Sequence, residues 1–246
     1  MRYNTRYRSA SFYSSYFPNG VKWLLISNVV MFVLMDLAQN TSYGQFFNLL
    51  ALVPRAVVFH FAIWQLGTYL FLHGGVLHLL FNMFTLWMFG ITLEREWGTR
   101  RFLKYYFVCG IGAGLCDVGV NALLGNWSTS TIGASGAIYG LLLAFGVLFP
   151  DVTILFFFLF PIRARYFVMI YGALALYGAL HVNTGVSNIA HLGGMAFGFV
   201  YLKMHFPALR LDDLRLWYRN YKLQRNKKKF QVYMRKRGSG RGPWVN

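Results

Sequence analysis

The chain's 246 residues are 57% hydrophobic and only 13% charged, with a mean hydropathy of +0.43. A soluble domain of this size needs a charged surface that such a composition cannot easily supply. The formal net charge of +17 would suit a nucleic-acid binder, but the basic residues sit between and beyond long apolar runs, which argues for a membrane protein instead.

A bilayer core takes about 20 apolar residues per helical span. Six runs fit, at 22–39, 75–93, 101–124, 134–149, 164–181 and 188–205. The expected organisation is a basic cytoplasmic arm (1–21), a six-span all-α membrane domain (22–205) and a basic cytoplasmic tail (206–246). The opening MRYNTRYRSASFYSSYF has a faint likeness to a mitochondrial transit peptide. It is read here as a short arm that fixes orientation, with no signal peptide before the first span.

Between the first two runs, residues 40–74 are too apolar for a free loop and too broken for a span. They are expected to lie partly sunk in the outer leaflet as short amphipathic helices. Cys109 and Cys116 lie seven residues apart in the third run. On one helix they are separated by about 10 Å along the axis, too far for a disulfide, and are read as buried free thiols. The stretch Pro150–Pro161 holds ILFFFLF between two prolines. Too short to span, it is expected at the interface or as an extension of the fifth helix. The tail continues LRLDDLRLWYRNYKLQ into Lys227, Lys228 and Lys229. Its expected partner is anionic lipid, at about 1 kcal/mol per basic residue near the surface. Nothing aromatic in it is patterned to read bases, so nucleic acid is not the expected partner.

Six spans put both termini on one side. All but Arg55 of the 24 basic residues then fall on that side, which the positive-inside rule makes cytoplasmic. A plasma (inner) membrane location follows as the expectation.

Polar groups in hydrocarbon are costly and mark function. The second, fourth and sixth runs all descend from the outer face. Ser135 opens the fourth, His191 lies one turn into the sixth, and His78 one turn into the second, with Asn82 a turn below. Spacing i, i+4 places His78 and Asn82 on one face. Four polar side chains therefore share one depth. Ser135 and His191 are candidates for a nucleophile and its base, which must approach to about 3 Å. Gly136, Gly140 and Ala144 on the fourth run, and Ala190, Gly194 and Gly198 on the sixth, form small-residue stripes that allow backbone contact. Tyr139, one turn below Ser135, could stack on the imidazole. These three runs place no acid at this depth. Asp117 belongs to the third run and Asp36 to the first, so the reading is a dyad. The Ser135 N–H, the Asn82 amide and the His78 ring are candidate oxyanion donors. His73 is read as structural, and His60, His181 and His205 as interfacial.

Taken singly these features are bland: Gly-Ala-Ser-Gly in an apolar helix is usually packing, and a lone span histidine is usually a hydrogen-bond partner. Jointly they resemble the rhomboid family of intramembrane serine proteases. Gly133-Ala134-Ser135-Gly136, followed by Tyr139, is similar to its Gly-x-Ser-Gly motif. Ala190-His191-Leu192-Gly193-Gly194, then Gly198, resembles its histidine motif. His78-Leu79-Leu80-Phe81-Asn82 resembles its His-x-x-x-Asn oxyanion motif, with His73 upstream, and Glu94 and Gly98 its Glu-x-x-x-Gly. The likeness covers residues 20–205. It implies a six-helix bundle with a membrane-associated outer loop, catalysis by Ser135 and His191, oxyanion donation by His78 and Asn82, transmembrane protein substrates and no cofactor or metal. One departure is Trp64-Gln65 where many members carry Trp-Arg, which bears on how the outer segment is held.

Three rival readings remain. A transporter lined by the buried Ser, His and Asn predicts more carboxylates and broken helices at the midplane. A metal or haem protein using His73, His78 and His191 lacks H-E-x-x-H and a nearby carboxylate. A non-proteolytic rhomboid-like protein that binds membrane helices predicts loss of Ser135 or His191, and both are present.

Overall fold

The structure, a computed structural model, describes residues 17–156, 159–181 and 187–205. Most of the arm (1–16) and the whole tail (206–246) lie outside the described residues, as do the roles expected of them. Contacts group the chain up to Tyr201 into one unit; the second begins at Leu202, and only Leu202–His205 of it is described.

Long helices dominate, in the order α1 (Asn19–Ala38), α5 (Val76–Trp97), α6 (Thr99–Leu123), α7 (Ser135–Leu148), α8 (Ala164–His181) and α9 (Asn188–His205). Three of them, α1, α5 and α6, are long and apolar enough to cross a bilayer, and α7 is a shorter apolar helix. The chain is therefore an integral membrane protein. Its core is built where α5, α6 and α7 meet, from Leu86, Phe89, Leu93, Phe102, Tyr105, Tyr106 and Leu141. The outward faces carry exposed Val33, Leu37, Leu77, Phe81, Met169 and Val200, a surface suited to acyl chains.

Two devices fix the junction of α1, α5 and α6. α5 and α6 abut through Gly98 alone, at φ +78°, where glycine is favoured. Beside this turn the buried Glu94 carboxylate accepts the backbone N–H groups of Gly20 (2.8 Å) and Val21 (2.7 Å) and the Thr99 hydroxyl (2.6 Å). The first turn of α1 leaves amides without intrahelical partners, and a carboxylate there satisfies them and suits the helix dipole.

The segment between α1 and α5 forms short helices α2 (Gly44–Asn48), α3 (Pro54–Phe59) and α4 (Gln65–Thr68), then a 3-10 turn at Tyr69–Phe71. Its seating is explicit. Buried Gln65 accepts from the Val53 N–H (3.0 Å) and donates to the Leu49 carbonyl (3.2 Å), which also receives the Trp64 indole N–H (2.9 Å). The Thr68 hydroxyl donates to the Leu50 carbonyl (2.7 Å), and the Tyr69 hydroxyl to the Gly110 carbonyl of α6 (2.7 Å). The glutamine at the departure from the family pattern thus helps tie the segment together, beside Trp64, Thr68 and Tyr69.

The stretch after α7 corrects an expectation. Instead of a longer α8, Thr153–Phe156 (β1) and Phe160–Arg163 (β2) pair antiparallel, with Ile154 opposite Ile162. The bundle is therefore not purely helical. Thr153 and Ile154 are β-branched and suit a pleated strand, and Pro161 is tolerated in a two-stranded ribbon because no third strand needs its missing N–H. Ile154 packs into a cluster with Phe89, Leu142, Phe145, Phe167 and Val168, whereas Leu155 faces outward.

Candidate active site

Ser135 is the first residue of α7 and His191 lies in the first turn of α9. The His191 Nε2 stands 2.8 Å from the Ser135 Oγ. Close helix approach makes this possible. A Cβ on Gly194 would run into the Gly136 carbonyl, and one on Gly136 would lie 3.4 Å from the Ala190 carbonyl. One on Gly140 would lie 3.2 Å from the Gly194 carbonyl. Gly198 departs from the expected stripe: it makes room for the Tyr105 hydroxyl of α6 rather than for α7. Tyr105 in turn donates to the Gly140 carbonyl (2.8 Å), linking α6 to the serine helix.

The Tyr139 ring lies flat on the His191 imidazole, with centroids 4.1 Å apart and planes 6° from parallel. His191 is buried, and its Nδ1 has no hydrogen-bond partner among the described residues. The stacked Tyr139 ring holds the plane of the imidazole.

Two donors flank the serine loop. Gly133, at φ +123°, has its open side against α5: a Cβ there would lie 2.8 Å from the His78 Nε2 and 3.8 Å from the Asn82 Nδ2. A side chain is excluded both by the backbone conformation and by the ring. The Gly74 N–H points to the His78 Nδ1 at 3.4 Å, which places the ring proton on Nε2, toward Gly133. The Asn82 Nδ2 is buried with no partner among the described residues. A buried donor left open costs about 1–3 kcal/mol, so it is suited to an acceptor that arrives with a ligand. His73 is buried and meets His78 edge-on, with centroids 5.0 Å apart. Burial pushes its imidazole down to about 4. His60 and His181 are exposed, and Cys109 and Cys116 are free thiols, the second only half-buried.

The sequence reading missed Asp117. It is fully buried on α6 and accepts from the side chains of Asn121, Thr131 and Ser187. An acid in the last turns of a long apolar helix was the available signal.

The rhomboid domain family matches residues 60–208. The chain belongs to the rhomboid family. It is 37% identical over 137 residues to RHOMBOID-like protein 4 of Arabidopsis thaliana, covering 56% of this chain and 32% of that one. To Rhomboid-like protease 3 of Toxoplasma gondii it is 28% identical over 203 residues, 81% of this chain and 73% of the relative. To the rhomboid protease GluP of Bacillus subtilis it is 28% identical over 171 residues, 70% and 32% respectively. The chain thus spans about a third of the length of the first and last of these rhomboid relatives.

Proposed function

We propose that this rhomboid is an intramembrane serine endopeptidase that cleaves transmembrane helices of membrane proteins near their outer ends. The 2.8 Å approach of the His191 Nε2 to the Ser135 Oγ carries the reading. His191 takes the hydroxyl proton as Oγ attacks the scissile carbonyl. The developing oxyanion settles on the Gly133 side, within reach of the His78 Nε2, the Asn82 Nδ2 and the Ser135 N–H at the start of α7. His191 then protonates the leaving amine, and a water activated by the same imidazole clears the acyl-enzyme. Gly133, Gly136 and Gly194 give the backbone its close approach and Tyr139 holds the base, so no metal or organic cofactor is invoked.

The length of α7 supports access by water. Its 14 residues rise about 21 Å, against a hydrocarbon core of about 30 Å. With its C-terminus at the inner face, α7 stops short of the outer surface, and the proposal has water reach Ser135 from that side. The six-span topology, cytoplasmic termini, plasma-membrane location and lipid-bound tail form the rest of the proposal. The charge distribution supports the orientation. The exposed Phe46, Leu49, Phe59, Phe61 and Ile63 support an outer segment seated in the leaflet.

The nucleophile is tested by treating the purified protein with a fluorophosphonate and mapping the adduct by mass. The expected adduct is on Ser135 and is lost in His191→Ala. An adduct on another residue, or equal labelling of Ser135→Ala, contradicts the assignment.

A further inference from the structure

Asp117 lies six residues before the end of α6, outside every motif that carries the family resemblance. Its Oδ2 accepts from the Thr131 hydroxyl (2.9 Å), and its Oδ1 from the Asn121 amide (3.1 Å) and the Ser187 hydroxyl. The last two residues of this set that lie off α6, Thr131 and Ser187, both lead into the dyad.

Ser187 caps α9. Its Oγ accepts the Ala190 N–H (3.1 Å), and its carbonyl accepts the His191 N–H (3.3 Å). The cap satisfies amides of the first turn, the turn that carries the base. Thr131 stands four residues before Ser135, and its backbone exchanges two hydrogen bonds with Leu52 (3.0 and 2.9 Å). One carboxylate therefore joins the segment that delivers the serine to the helix start that delivers the histidine. It does so without touching the imidazole, whose Nδ1 has no partner among the described residues.

We infer that Asp117 is a positioning residue for the dyad: through Ser187 it sets the height of His191 over Ser135, and through Thr131 it fixes the approach to Ser135. The inference rests on the protease reading. Catalytic geometry tolerates little displacement, since a shift of about 1 Å can cost about 100-fold. A role in fold stability alone would lower the folded fraction and leave turnover per folded molecule intact.

The test uses the full chain in liposomes with a single-span substrate. Turnover is normalised to sites counted by exhaustive fluorophosphonate labelling. Ser187→Ala and Asp117→Asn are each expected to lower kcat per site about tenfold or more with KM little changed, as loss of orientation does. Ser187→Thr, which keeps the hydroxyl, restores most of it. The double variant is no worse than Asp117→Asn alone, because Ser187→Ala breaks a link that the loss of the carboxylate has already broken. If Asp117→Asn does not fold, Ser187→Ala against Ser187→Thr decides. Wild-type kcat per site in Ser187→Ala, or multiplicative losses in the double, overturns the inference alone. A wild type that neither cuts nor takes the label overturns the protease reading and this inference with it.

Discussion

The Gly194 backbone of α9 lies against the Gly136 carbonyl of α7, so closely that no Cβ fits between them. That contact, next to Ser135 in sequence and one turn beyond His191, lets the two side chains approach to 2.8 Å. Gly194→Val would force the helices apart. Overpacking of this kind costs about 1–3 kcal/mol in stability, and a displacement of about 1 Å between reacting groups costs about 100-fold in rate. The expected result is a folded protein with kcat down about 100-fold, read by circular dichroism and a cleavage assay together.

Asn82 holds a buried amide with an open donor beside Gly133. Loss of one oxyanion donor costs about 10²–10³ in kcat. Asn82→Ala is therefore expected to lose that much turnover with KM nearly unchanged. A rise in KM at constant kcat would place Asn82 in substrate binding instead.

Tyr139 stacks on His191 at 4.1 Å. Stacking is worth about 0.5–1.5 kcal/mol beyond area, close to a factor of ten in rate at its upper end. Tyr139→Phe keeps the ring and should cut at nearly the wild-type rate. Tyr139→Leu should lose up to about tenfold in kcat. Equal rates in both variants would remove the stacked ring from the account.

The long helices and the approach of Ser135 to His191 were legible because each depends on local pattern: apolar run length and small-residue stripes. The helices at Ala164–His181 and Asn188–His205 have the bounds expected of them. What the pattern could not carry depends on partners distant in sequence. The run around Thr153–Arg163 is short and apolar, and periodicity does not separate strand from helix there. Asp117 read as a stray acid because Thr131 and Ser187 reach it from other segments. Gln65 read as a lost arginine, yet its amide bonds Val53 and Leu49.

His73 gives a pH dependence. Its imidazole titrates near 6.5 in the unfolded chain and is pushed down to about 4 by burial. Between those values the unfolded chain binds a proton that the folded one does not. Stability from this residue is thus complete above about pH 6.5 and falls as pH drops toward 4, by up to about 3 kcal/mol. His73→Phe should lose less of its thermal midpoint than wild type between pH 8 and pH 5. An equal loss would mean that His73 is not the buried neutral group described.

The most direct measurement is cleavage of a single-span substrate in liposomes by wild type, Ser135→Ala and His191→Ala, followed by gel and by mass of the fragments. The account predicts a cut near the outer end of the substrate helix by wild type, and a loss of about 10⁴-fold or more in each variant. Equal cutting by wild type and Ser135→Ala would contradict it.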